Sequence, residues 1–155
     1  MNLKEHIRSI PDYPKKGILF RDITTLIKNE EAFSETINQI TKILKRYEFD
    51  KIAAIESRGF VFASAVSYLL KKPFILLRKK NKLPADRYSV DFELEYGKAT
   101  IEMHKDSVSS GDKVIIIDDL IATGGTAEAG AKIIEMGNGK IELFIFVINL
   151  FDLGG

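Results

Sequence analysis

The sequence has no cysteine, no tryptophan and only four prolines in 155 residues. Without cysteine there is no disulfide and no thiolate metal site, and the absence fits a cytoplasmic setting. Neither sign of charge dominates: 23 Lys and Arg against 22 Asp and Glu leave a net charge of +1. That balance supplies no general attraction to nucleic acid or to an anionic membrane, so neither is expected as a partner and basic clusters matter only locally. No apolar run reaches membrane-spanning length, and Met1-Asn2-Leu3-Lys4-Glu5-His6 has no apolar signal core. Internal repeats and low-complexity segments are missing as well. What is present, 45% hydrophobic and 29% charged, is ordinary globular composition. The length suits a single domain, 1–155, able to bury a core without staples.

The most informative stretch is Val114-Ile115-Ile116-Ile117-Asp118-Asp119-Leu120-Ile121-Ala122-Thr123-Gly124-Gly125-Thr126. Four β-branched residues in a row predict a strand covered on both faces, ending at two carboxylates. The Thr-Gly-Gly-Thr that follows lets the backbone turn its amides toward a ligand, and the next helix N-terminus favours an anion. The two acids repel a phosphate but suit sugar hydroxyls, a metal or a positively charged reaction centre. Together they point to a phosphorylated sugar. The spacing matches neither a Walker loop nor a dinucleotide-binding loop. Taken alone, acids after an apolar strand also occur in phospho-acceptor and Rossmann-like folds.

Elsewhere the pattern predicts alternating strands and helices. Asn2–Ile10 reads as a short amphipathic helix stopped by Pro11 and Pro14. Gly17–Thr25 reads as a loop with an extended Ile18-Leu19-Phe20. Asn29 is the expected N-cap of a long helix with apolar positions Phe33, Ile37, Ile40, Leu44 and Tyr47. Ile52–Ile55 is a strand, Phe60–Leu70 a buried helix and Phe74–Leu77 another strand. Tyr88–Met103 alternates on either side of Tyr96-Gly97-Lys98, the signature of a β-hairpin. The helix after the opening motif should end near Gly137-Asn138-Gly139, before a last apolar strand, Ile141–Leu150. Met136 and the phenylalanines at 60, 62, 144 and 146 are expected in the core. The fold class is therefore α/β, a mainly parallel sheet flanked by helices. Ligands of such sheets gather at the carboxyl ends of strands, here after Ile55, Leu77 and Ile117.

Two of those ends carry further charge. Glu56-Ser57-Arg58-Gly59 offers a second anion site, with a forked donor in Arg58 and close backbone approach at Gly59. Arg78, Lys79, Lys80 and Lys82 place four cations in five residues, which suits a doubly charged leaving group such as diphosphate. A charged turn and a solvated face are the plain alternatives for these two segments. His6 and His104 are isolated and lack ligand spacing. Glu95-Tyr96 at the hairpin tip could be merely solvated, or a tip that closes over a site.

These blocks, in this order, resemble the type I phosphoribosyltransferases and, among them, the enzymes that use adenine. The resemblance runs from about Ile7 to Gly155. It rests on Asp118–Thr126, on Pro11-Asp12-Tyr13-Pro14 with Gly17-Ile18-Leu19-Phe20-Arg21-Asp22, and on Glu56–Phe60, Arg78-Lys79 with Lys82-Leu83-Pro84, and Leu94–Lys98. It implies an N-terminal hood (about 1–28), a flexible hairpin loop (about 81–103) and a homodimer. The implied reaction transfers a phosphoribosyl group from 5-phosphoribosyl 1-diphosphate to N9 of adenine, giving AMP and diphosphate in purine salvage. By that resemblance Ala122, Thr123, Gly124, Gly125 and Thr126 cradle the 5′-phosphate, while Asp118 and Asp119 bind the ribose hydroxyls and stabilise its developing positive charge. Arg58, Arg78, Lys79 and Lys82 hold the diphosphate beside Glu56 and Ser57, whose peptide is expected to be cis. Leu19, Phe20 and Arg21 form the adenine pocket, Glu95 is the acid/base residue and Tyr96 caps the closed loop. Mg²⁺ is the implied cofactor, bound mainly through substrate oxygens and water rather than by dedicated protein ligands. Transfer to another base, and a non-catalytic regulator that binds the same diphosphate, are the alternatives. Ile121 stands where leucine is usual. The family pattern also runs on past Gly155 into a closing strand, so one sheet edge is expected to lack cover.

Overall fold

Asn29 caps a helix as its side chain predicts, its Oδ1 accepting from the Ala32 backbone N–H at 2.9 Å. The helix belongs to the first of two units, Met1–Leu44 and Lys45–Gly155, in a computed structural model that describes residues 1–94 and 97–155. In the first unit a 3₁₀ turn, Leu3–His6, leads to strand β1 (Arg8–Pro11), strand β2 (Leu19–Asp22), the short helix α1 (Thr24–Ile27) and helix α2 (Glu30–Leu44). The amphipathic helix expected over Asn2–Ile10 is therefore only that single turn. Arg8–Pro11 instead pairs antiparallel with Leu19–Asp22, Ile10 opposite Phe20, and pairing outweighs the weak local helical preference. The reversal is fixed by Asp12, whose Oδ1 accepts from Gly17 N–H at 2.8 Å, and by an edge-to-face contact of Tyr13 with Phe20. α2 buries Ala32, Thr36, Ile37, Ile40 and Leu44; Tyr47 falls beyond its end.

The second unit is the α/β layer that the strand–helix alternation predicts. Its elements are β3 (Lys51–Ile55), α3 (Arg58–Leu70), β4 (Phe74–Lys79), β5 (Arg87–Leu94), β6 (Gly97–His104), β7 (Lys113–Ile121), α4 (Gly125–Met136) and β8 (Lys140–Asn149). They form one six-stranded sheet in the order β5-β6-β4-β3-β7-β8. β4, β3, β7 and β8 run parallel, and the β5–β6 hairpin joins antiparallel at β4. Val114, Ile115, Ile116 and Ile117 are all fully buried, so β7 is covered on both faces as its composition demands. Each such isoleucine contributes about 1.5–3 kcal/mol relative to exposure. Ile133 and Ile134 of α4 join Ala53, Ile55, Leu77 and Ile116 in one core cluster.

Three expectations about packing are corrected. α3 is buried along one stripe only, through Phe62, Ala63 and Val66, while Val61, Tyr68 and Leu69 are exposed. Met136 lies in the last turn of α4 and is also exposed. Of the four phenylalanines, Phe62 is fully buried, whereas 60, 144 and 146 are half-buried, the last two stacked along β8. Among the described residues β5 and β8 are the outer strands of the sheet. Among the described residues no helix is long and apolar enough to cross a membrane.

Candidate active site

Because β3, β4 and β7 are parallel, their carboxyl ends open on one edge of the sheet, and the three charged segments meet there. β7 does not stop at the acids, as the sequence suggested, but continues to Ile121 because β8 pairs alongside it as far as Asn149. Asp118 and Asp119 are thus held within a strand, at 8% and 5% exposure. Such rigidity suits groups that must meet a sugar at fixed places. Asp118 Oδ1 accepts from the Asp119 backbone N–H at 2.8 Å. Burial, with the neighbouring charge of Asp119 added, pushes the Asp118 carboxyl up to about 8. Asp119 is matched differently, its Oδ2 lying 2.8 Å from Arg58 Nε.

Arg58 opens α3 directly after β3, and the Glu56–Ser57 peptide between them is cis, as the resemblance implies. Gly59, the next residue, is a site requirement. A Cβ there would fall 2.9 Å from Asp118 Oδ1 and 3.0 Å from the Ile117 carbonyl oxygen. Only glycine lets the start of α3 come this close to the acid pair. On the other side, Glu56 Oε1 accepts from Arg78 Nε at 2.9 Å and from the Lys79 backbone N–H at 3.1 Å. Burial works to raise the Glu56 carboxyl, but the Lys79 amide and the Arg78 guanidinium outweigh it and hold it down, ionised. Arg58 and Arg78 each have a carboxylate partner here, and the side chains of Lys80 and Lys82 are exposed.

The Ala122–Thr126 turn has the expected form. Gly124 takes a left-handed φ of +93° and caps α4 without a side-chain hydrogen bond, so no capping side chain takes up the helix's first-turn amides. The chain after β8 returns to this turn, with Gly155 N–H donating to the Ala122 carbonyl at 2.9 Å. Gly125 has a second task that the sequence did not disclose. A Cβ on it would lie 2.7 Å from the Glu93 carbonyl oxygen, so the hairpin's first strand rests directly on the start of α4. Glu95 and Tyr96 themselves lie outside the described residues. Leu19, Phe20 and Arg21 belong to the first unit, on β2, where Arg21 Nη1 donates to Ser9 Oγ and Leu19 is 48% exposed. The adjoining Asp22 anchors that strand. The Thr24 hydroxyl, then the Arg8 guanidinium, hold its carboxyl down at about 2.

A parallel sheet whose strand ends present a phosphate-shaped turn, two fixed acids and a cationic turn defines a ribosyl-phosphate transferase site. The chain belongs to the phosphoribosyl transferase domain family, whose pattern it matches over residues 23–149. It is 77% identical, over all of its length and 89% of the relative's, to the adenine phosphoribosyltransferase of Pelagibacter ubique. Its fold superimposes with a TM-score of 0.95 on the adenine phosphoribosyltransferase of Thermoanaerobacter pseudethanolicus, at 47% identity, covering 99% of this chain and 89% of that one. The Saccharomyces cerevisiae enzyme, solved with adenine and an imino-altritol bisphosphate, matches at a TM-score of 0.91 and 33% identity, covering 99% and 89%.

Proposed function

We propose that this chain is an adenine phosphoribosyltransferase, forming AMP and diphosphate from adenine and 5-phosphoribosyl 1-diphosphate. The observation that carries the reading is the buried Asp118–Asp119 pair fixed beside the phosphate turn. As the bond from the sugar to diphosphate lengthens, positive charge grows on the ribose ring. The two acids are held in place without reorganisation: the Asp119 carboxylate, with Asp118 giving up its proton as the ring charge grows, stabilises that charge more than the ground state. The first-turn amides of α4 fix the 5′-phosphate, and the turn Arg78–Lys82 takes the departing diphosphate. Adenine attacks through N9 and its proton passes to a base, the role we assign to Glu95. Leu19, Phe20 and Arg21 provide the base pocket, and Tyr96 covers the closed site.

Mg²⁺ fits these residues as an ion carried by the donor. Among the described residues no three His, Asp or Glu side chains converge as a dedicated cage, while the adjacent carboxylates offer oxygens beside the ribose position. When bound, Mg²⁺ neutralises charge on the diphosphate oxygens and so eases their departure. The reading includes a homodimer, supported by the apolar surface of α3 at Val61, Tyr68 and Leu69. It also includes the cytoplasm, a setting that the lack of cysteine fits.

The test is competition among adenine, hypoxanthine, guanine, xanthine and orotate for the donor with Mg²⁺, with products identified. AMP as the dominant product is expected. A different nucleotide would replace adenine as the acceptor, and no nucleotide from folded protein would leave only a binding role. Diluting the protein in the same assay reads the assembly: specific activity should fall as dimers part, and constant activity down to a monomer would remove the dimer.

A further inference from the structure

Glu102 is a buried carboxylate to which the transfer reaction assigns no task. On β6 the alternation of a strand sends Ile101 and Met103 into the core cluster and Glu102 to the other side. It is nonetheless only 3% exposed. A carboxylate is rarely buried like this unless every lone pair is used, and here the partners are specific. Oε1 accepts from the Asn81 backbone N–H at 2.8 Å. Oε2 accepts from Arg87 Nε at 3.1 Å and from the Ser89 hydroxyl at 2.5 Å. The Ser89 hydroxyl leads in holding the carboxyl below its ordinary range, against burial and with help from Asn81 and Arg87.

The placement of these partners gives the contact its meaning. Asn81 is the bend of the cationic turn, with a left-handed φ of +66°. Among the described residues β4 pairs with β6 at Arg78 opposite Glu102 and Lys79 opposite Ile101, so the turn leaves the sheet just where Glu102 sits. Arg87 and Ser89 are the root of the β5–β6 hairpin. One further residue along the same face, His104 Nε2 accepts from Ala85 N–H at 3.2 Å, shaping the far side of the same loop.

We propose that Glu102 is a positioning residue for the donor's diphosphate: through Asn81 it sets the bend that aims Lys79 and Lys82 at the leaving group, and through Arg87 and Ser89 it ties that bend to the hairpin. The proposal rests on the transferase reading above. A merely structural Glu102 would, on removal, loosen the whole unit and weaken every ligand alike. A positioning Glu102 weakens only ligands that touch the cationic turn.

The experiment is calorimetric binding of three ligands to the full chain with Mg²⁺: 5-phosphoribosyl 1-diphosphate, diphosphate alone, and ribose 5-phosphate, which reaches the phosphate turn and the acid pair but not the cationic turn. For Glu102→Ala the first two should weaken by roughly tenfold to about a hundredfold, the scale of a misplaced binding group, and ribose 5-phosphate by no more than about twofold. Equal weakening of all three, or undiminished diphosphate binding, overturns the proposal. Should alanine prevent folding, Glu102→Asp keeps the charge but shortens the reach by one methylene. It should show the same selectivity at smaller size, and wild-type diphosphate affinity in that variant would equally overturn it. If instead the wild-type chain binds no donor at all, the transferase reading fails, and that outcome is seen before any variant is made.

Discussion

Asp118→Asn should make the ligand-free protein more stable and the enzyme far slower. The asparagine keeps the oxygen that accepts the Asp119 N–H, so the local hydrogen bond survives. What it removes is a buried carboxyl that burial and the adjoining Asp119 push up to about 8. In the pH window from about 4 to about 8 the folded chain keeps a proton at Asp118 that the unfolded chain releases. The unfolded state then binds fewer protons, so stability falls as pH rises through that window. Asparagine does not titrate and escapes this loss. Below about pH 4 the two proteins should melt at similar temperatures; by pH 9 the variant should melt higher. For a chain of this size each kcal/mol relieved adds about 2–4 °C to Tm. Turnover with adenine should meanwhile drop by about 10²- to 10³-fold, the usual loss on removing one preorganised group that faces developing charge. Thermal melts across pH and steady-state kinetics check both halves. A variant that is less stable at pH 9, or that turns over at near the wild-type rate, removes Asp118 from its assigned role.

Gly59→Ala should damage the same acids without altering either of them. The new methyl would lie 2.9 Å from Asp118 Oδ1 and 3.0 Å from the Ile117 carbonyl. The carbonyl is fixed by the sheet and Asp118 has little free space, so α3 itself must move. Overpacking of this kind costs about 1–3 kcal/mol. Moving the start of α3 also displaces Arg58, which pairs with Asp119. A displacement near 1 Å costs about a hundredfold in rate when it spoils alignment. Kinetics and denaturant melts should therefore show both losses together. An alanine variant with wild-type kcat and stability would mean that the closeness of α3 to β7 has no bearing on the site.

The buried strands were readable because composition alone decides them: Val114–Ile117 has no polar residue to turn toward water. The long helix from Asn29 was readable from its cap and spacing. Where local and longer-range preferences compete the sequence misleads, as at Arg8–Pro11, whose partner strand, Leu19–Asp22, lies beyond an intervening loop. The far end of β7 was hidden for the same reason, since Asp118–Ile121 is strand only because β8 lies beside it. The segments Asp118–Thr126 and Glu56–Gly59 could be placed at the carboxyl ends of β7 and β3 directly from their local motifs. Glu102 could not, because Ile101 and Met103 make it look solvent-facing. Only the register that sets Ser89 opposite Glu102 brings its partners together. Likewise the near-contact of Gly125 with the Glu93 carbonyl is invisible until the hairpin is placed over α4.

Transfer of the ribosyl phosphate between diphosphate and adenine must also run backwards, and the reverse reaction is the sharpest test of it. AMP incubated with the protein and Mg²⁺ should remain intact until diphosphate is added. Adenine and 5-phosphoribosyl 1-diphosphate should then appear in equal amounts. Adenine released without diphosphate would show hydrolysis rather than transfer, and AMP untouched in its presence would contradict the account outright.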